Sequence, residues 1–266
     1  MPGAFRRWRR GRILRRSALD EGLWRAVLDS YPFTRALSGP ERDQLRDWVI
    51  LFLHEKSIAG AGGLTVRDEM RIGIAAQACM LILNLDLDYY DGWVEVIVYP
   101  DEFVAEYEFA DEDGVVHHVQ EPMSGESWLA GPVILSWADA EMRGRSGYNV
   151  VIHEFAHKLD MLNGDANGFP PLHAGMDRET WARTFAAAYE DLRGRVERGE
   201  AAAVDPYAAE SPAEFFAVLS EAFFETPGAV RLDYPAVYGQ LAAFYRQDPA
   251  ARLGNPAVAA QARDVA

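Results

Sequence analysis

The sequence predicts an α+β fold, with a small sheet set between two groups of helices. Three observations predict it. Helical signals dominate to about residue 84, the pattern turns β-rich from Trp93, and helical signals return from about residue 146. Helices, then strands, then helices is the order of an α+β chain rather than of repeating βαβ units. At 266 residues, 49% of them hydrophobic and 25% charged, the chain can bury a substantial core. No internal repeat or long linker divides it. One domain is therefore expected over residues 18–250, between a basic flexible tail (1–17) and a flexible C-terminal tail (251–266).

The N-terminal tail carries Arg6, Arg7, Arg9, Arg10, Arg12, Arg15 and Arg16, and no acid. The whole chain carries −15, so the remainder carries −22. Nucleic-acid phosphates repel a body this acidic, and no nucleic-acid partner is expected. The tail reads as solvated chain; nucleic acid and an anionic membrane surface are the partners it could touch. A secretory signal would follow such charge with a long apolar run, and here only Ile13 and Leu14 follow. Residues 74–85 come nearest to a membrane span and fall short of the roughly 18 to 20 apolar residues one needs. The lone cysteine, Cys79, lies in an apolar run, reads as a buried thiol and excludes an intrachain disulfide. A cytoplasmic protein without a transmembrane segment is the expectation.

Ser38-Gly39-Pro40-Glu41 opens a helix whose Leu45, Trp48, Val49, Phe52 and Leu53 share one face. Thr65, followed three residues later by Asp68, reads as the N-cap of the next helix. That helix is apolar nearly all round from Ile72 to Leu83 and is the expected central one. The stretches "WVEVIVYP" and "EFVAEYEFA" read as strands, Asp113-Gly114 as a hairpin turn before another short strand, and "GPVILSW" (131–137) as one more. Helices are expected again from about residue 146, over 177–198, 211–225 and 234–246.

The chemistry lies in "YNVVIHEFAHKLDMLNG", residues 148–164. Residues four apart on an α-helix share a face, so His153 and His157 can point at one metal ion. Glu154 is 100° round from His153, placed to reach a water on that metal without ligating it, which is the logic of a zinc-hydrolase H-E-x-x-H helix. Zinc then needs a third protein ligand and one open position. Asp160 shares the histidine face and could ligate, orient a histidine or cap the helix. Downstream, "YAAESPAEFFAVLSEAFFE" offers Glu210, Glu214, Glu221 and Glu225. Glu214 also completes a capping box with Ser211, a sufficient reason for its presence. Glu214 and Glu221 lie two turns apart on an otherwise apolar face. Spacing alone leaves the choice among these carboxylates open. His117 and His118, adjacent in a strand, face opposite ways and cannot share an ion.

"HEFAHKLD" followed by Tyr207, six residues, and "EFFAV" with a later "SEAFF" resembles the Mlc titration factor A (MtfA) family of bacterial zinc metallopeptidases, as does "GPVILSW". The resemblance covers most of residues 20–250. Over the active-site segments alone the chain is also similar to the catalytic domain of anthrax lethal factor. The resemblance implies a zincin-like fold, with a small mixed sheet packed on the active-site helix and further helices at both ends. It implies one Zn²⁺ per chain on His153, His157 and Glu214, with Glu154 as general base and Tyr207 facing the reacting carbonyl. Glu221 then becomes, with Asp160, a candidate to support the ligands. A peptide or protein substrate is implied, and a transcription repressor as binding partner.

An extended substrate could lie along an exposed edge made by Val133, Ile134, Leu135 and Ser136; the same strand could instead be plain sheet interior. Two other classes compete with the peptidase. One is a non-catalytic protein that binds a regulator and keeps zinc as a structural site. The other is a zinc hydrolase acting on a different amide or ester.

Overall fold

The structure is a computed structural model that describes residues 2–110, 116–127, 131–141 and 147–254. The first departure from expectation comes at once. Residues 1–17, expected as a flexible tail, hold helix α1 (Pro2–Leu14). Arg10 is gripped by Asp86 at 2.9 Å and by Asp88 at 2.7 Å, and Ile13 is buried beneath the helix. The arginines have acidic partners far along the chain, which local patterning cannot show. At the other end, helical residues run to Leu253, and 255–266 of the expected C-terminal tail lie outside the described residues.

Helices α2 (Glu21–Ser30), α3 (Pro32–Arg35) and α4 (Gly39–Glu55) follow. Ser38 caps α4 in a capping box: the Ser38 amide donates to the Glu41 carboxylate at 2.8 Å while the Ser38 hydroxyl accepts from the Glu41 amide. Strand β1 (Ser57–Gly60) was not anticipated, because Ser-Ile-Ala-Gly carries little of the β-branched signature. Helix α5 (Asp68–Leu81) is buried almost throughout from Met70 to Leu81, as its all-round apolar pattern requires. Its N-cap position is Arg67, not Thr65.

Strands β2 (Glu95–Tyr99), β3 (Phe103–Ala110), β4 (Val116–Met123), β5 (Gly125–Ser127) and β6 (Val133–Ser136) come next. The antiparallel pair β3–β4 runs in register from Phe103 opposite Met123 to Ala110 opposite Val116. The Asp113-Gly114 turn lies outside the described residues. The main sheet has the order β1-β2-β6-β5, with β1, β2 and β6 parallel and β5 antiparallel to β6. Strand β6 is therefore hydrogen-bonded on both sides, and Val133, Leu135 and Ser136 are fully buried. Of the two readings of Val133, Ile134, Leu135 and Ser136, the exposed edge is the one that fails; among the described residues the edge strand on this side is β5.

The C-terminal half is helical: α6 (Trp137–Ala140), α7 (Val150–Asp160), α8 (Arg178–Glu197), α9 (Pro212–Glu225), α10 (Pro227–Asp233), α11 (Pro235–Tyr245) and α12 (Pro249–Leu253). No helix among the described residues is long and apolar enough to cross a membrane. The motif helix α7 lies against α5, α9 and the sheet. Its Phe155 packs into a cluster with Phe52, Tyr90 and Trp93, with ring centroids 5.3 to 6.3 Å apart. This cluster sits on the side of α7 away from the histidines and anchors that side in the core. Phe155→Ala is expected to cost about 3 to 5 kcal/mol of stability, measured by urea unfolding; a loss under about 1 kcal/mol would show that the cluster does not hold α7.

Candidate active site

Helix α7 begins at Asn149, whose side-chain oxygen accepts from the Ile152 amide at 2.9 Å. One turn on, His153 and His157 emerge on the same face, and their Nε2 atoms stand 3.1 Å apart. The partner carboxylate comes from α9. Ser211 caps α9 by accepting from the Glu214 amide at 3.1 Å, which fixes Glu214 in the first turn. Its carboxylate is turned to the histidines, with Oε2 3.0 Å from His153 Nε2 and Oε1 3.4 Å from His157 Nε2. Ser211 thus caps the helix in the expected way, but the Glu214 side chain is committed elsewhere.

One donor atom from each of His153, His157 and Glu214 lies within 4.8 Å of the others. The set fits a divalent cation. Two imidazole nitrogens face each other beside a carboxylate oxygen, Glu214 Oε2, that is buried without a hydrogen-bond partner. Positive charge between these atoms removes the repulsion of facing lone pairs and satisfies the orphaned oxygen.

Glu221, two turns along α9, supports this arrangement. It is 2% exposed, and its Oε1 is 2.7 Å from His153 Nδ1. A proton on Nδ1 donated to Glu221 leaves Nε2 with its lone pair toward Glu214 and His157. The second Glu221 oxygen accepts from the Asn149 amide. Burial pulls the His153 pKa down, but the Glu214 and Glu221 carboxylates outweigh it and hold it well above its ordinary value. Burial pushes Glu214 up, and the two histidines more than reverse this, leaving it far below the usual carboxylate range. The pocket favours positive charge.

Glu154 stands beside the cluster and outside the donor set. It is 4% exposed, and burial raises its pKa against the opposing pull of His153 and His157. The Ser127 hydroxyl, on edge strand β5, lies 2.7 Å from Glu154 Oε2. Gly125, two residues earlier, has no Cβ, and one built there would overlap the Glu154 carboxylate. The strand can pass this close only because position 125 is glycine. Tyr207 lies in a single 3₁₀ turn, Pro206–Ala209, capped by Asp205. Its ring centroid is 6.1 Å from that of His153, and burial together with the Glu214 charge raises its pKa strongly.

Asp160 is not in the donor set. Its Oδ2 accepts from the Asn167 and Gly168 amides, both at 2.7 Å, and so ties down the start of the 163–176 segment. Gly168, at φ +76°, lies where a Cβ would strike the Pro212 carbonyl, and its own carbonyl accepts from Trp181 Nε1 at 3.1 Å. Farther on, His173 Nε2 is 2.7 Å from the Phe244 carbonyl. This segment is a fastened connection between α7 and α8. Glu225 serves Asn149, whose side-chain amide donates to it at 2.9 Å. Sequence reasoning missed Asn149, Gly125 and Ser127. Asn149 was legible as an N-cap just before the motif helix; the other two carry no local signal.

A family model for the glucose-regulated metallo-peptidase M90 family matches residues 5–246. The chain is 42% identical over 219 residues to Mlc titration factor A of Serratia proteamaculans, covering 80% of this chain and 83% of that one. It is 39% identical over 233 residues to the protein of the same name in Cronobacter sakazakii, covering 86% and 88%. Against that of Klebsiella pneumoniae it is 38% identical over 232 residues, covering 86% and 87%.

Two substitutions test the cluster. Glu214→Ala is expected to abolish stoichiometric metal binding, read as metal content of protein purified without a metal-affinity tag. Glu221→Ala is expected to weaken metal affinity about 10- to 100-fold, read by competition with a chromophoric chelator. Full metal content in Glu214→Ala would transfer the ligand role to another carboxylate.

Proposed function

Because this chain belongs to the glucose-regulated metallo-peptidase M90 family, we propose that it is a zinc-dependent peptidase that hydrolyses peptide bonds with Glu154 as general base. The observation that carries the proposal is the convergence of His153, His157 and Glu214 with Glu154 beside them but outside the donor set. His153, His157 and Glu214 are the residues that would hold one zinc ion. That donor set, two nitrogens and one oxygen, is typical of hydrolytic zinc with a position left for water or substrate. Zinc held there would supply Lewis-acid chemistry for a bound water and an amide carbonyl.

The remaining work falls to this chain's own side chains. Glu154 accepts the proton of the attacking water and returns it to the leaving amine. Its burial and the Ser127 hydroxyl at 2.7 Å hold the carboxylate in one place beside the cluster, where a general base has to stand. Ser127 fixes the Glu154 carboxylate while leaving the rest of it free to move the proton. Tyr207, with its pKa raised, stays protonated and donates to the oxyanion. The substrate backbone lies extended along the outer edge of β5, the strand that passes directly over Glu154.

A regulator-binding protein with a structural zinc remains the competing reading, and binding of a transcription repressor is compatible with either. The fitted seat of Glu154 against Gly125 and Ser127 favours the enzyme, because a structural site has no use for a poised base. The proposed location is the cytoplasm, in keeping with one buried, unpaired cysteine.

Glu154→Gln is expected to keep one zinc per chain and lose about 10²- to 10⁴-fold in the rate of peptide hydrolysis. Tyr207→Phe is expected to lower kcat about 10²- to 10³-fold with metal retained. Both are read from metal content beside cleavage of a peptide library, with and without chelator. Chelator-insensitive cleavage, or an active Glu154→Gln, would refute the mechanism.

A further inference from the structure

Helix α1 has two different sides. The inner one is neutralised. Arg6 meets Asp88 at 2.6 Å and Asp91 at 2.9 Å, Arg9 meets Glu55 at 2.5 Å, and Arg10 meets Asp86 and Asp88. On the outer side Phe5 and Trp8 are 67% and 54% exposed, with ring centroids 5.9 Å apart in a stacked pair. The Arg12 guanidinium lies over Trp8 at 5.7 Å. At 100° per residue, Phe5, Trp8 and Arg12 fall within an arc of about 60°. Arg7, Arg15 and Arg16 are exposed as well, and with Arg12 they form no ion pair among the described residues.

We propose that this outer face of α1 docks the protein on an anionic lipid surface, with Phe5 and Trp8 at headgroup depth and the arginines on lipid phosphates. Aromatic rings flanked by arginines on one exposed helix face are the composition of an interfacial helix, and such rings favour the headgroup region. Arg12, Arg15 and Arg16 have no acidic partner among the described residues and are open to lipid phosphates. The stacking argues against single-stranded nucleic acid: Phe5 and Arg12 already occupy positions over Trp8, where a base would stack. A duplex offers no apolar depth for two rings. The net charge of −15 opposes docking, so the attraction has to come from arginines within a Debye length of about 8 Å of the lipid surface. Neutralisation of the inner side by Asp86, Asp88, Asp91 and Glu55 keeps the helix seated while it presents that face.

The test is co-sedimentation of the full chain with vesicles of phosphatidylcholine alone or mixed with phosphatidylglycerol. Binding is expected only to the mixed vesicles. The triple variant Arg12→Ala/Arg15→Ala/Arg16→Ala is expected to bind them on the order of 100-fold more weakly, at about five-fold per charge. Phe5→Ser/Trp8→Ser is expected to bind more weakly even to strongly anionic vesicles. All five side chains are exposed, so both variants should keep the wild-type melting temperature and metal content, which confirms that the fold is intact. The proposal is overturned if the wild-type chain ignores the anionic vesicles, or if both variants bind them like wild type. It is equally overturned if the variants lose binding to a labelled single-stranded oligonucleotide while no vesicle binding occurs.

Discussion

A buried carboxylate on a partly buried imidazole sets the frame for the candidate site. Glu221 is 2% exposed and lies 2.7 Å from His153 Nδ1. Charge placed there is costly unless it is both paired and hydrogen-bonded. The second Glu221 oxygen takes the Asn149 amide, and the Asn149 side chain donates to Gln77 at 2.8 Å and to Glu225 at 2.9 Å. Gln77 in turn donates to the Tyr31 hydroxyl at 3.0 Å. One polar thread therefore joins the end of α2 to α5, α7 and α9. Rotating any of these helices about its axis strands a buried polar group, so the thread fixes the azimuth of α7 and with it the aim of both histidines.

The candidate site was legible in part, and the line between the parts is physical. The helix, its shared histidine face and the place of Glu154 outside it follow from 3.6 residues per turn. The choice of Glu214 over Glu221 did not follow from spacing, since both carboxylates lie on one face of α9. What separates them is which nitrogens they meet: Glu214 faces the Nε2 side of both histidines and Glu221 the Nδ1 side of one of them. Sheet order was likewise beyond a periodicity argument. The run of residues 131–137 reads the same whether its strand is internal or at an edge, and only pairing with both β2 and β5 decides it. Helix α1 was unreadable for a related reason. Its acidic partners lie 46 to 85 residues away in sequence, so local composition reported only an arginine run.

Strand β5 is only three residues long, Gly125–Ser127, yet two of them shape the position of Glu154. Gly125 contributes by lacking a side chain and Ser127 by supplying a short hydroxyl. Neither residue type is rare, and neither carries a hydrophobic pattern. Their significance comes from lying across the sheet from β6 and directly against α7. Small residues at a close approach are where a single-sequence reading has least to hold.

The polar thread has a consequence for the order of events during biosynthesis. At about 5 to 20 residues per second, a ribosome needs about 3 to 14 s to travel from His153 to Glu221. Until α9 has emerged, α7 has neither its third donor nor its partner at Nδ1. Closure comes later still, because Gln247 reaches back to the Met80 carbonyl and Arg252 to Glu41. A nascent chain that ends before α9 thus carries the HExxH helix without Glu214 and Glu221. Under the proposed function, peptidase activity is withheld from the translating ribosome and its neighbours until α9 has emerged and docked.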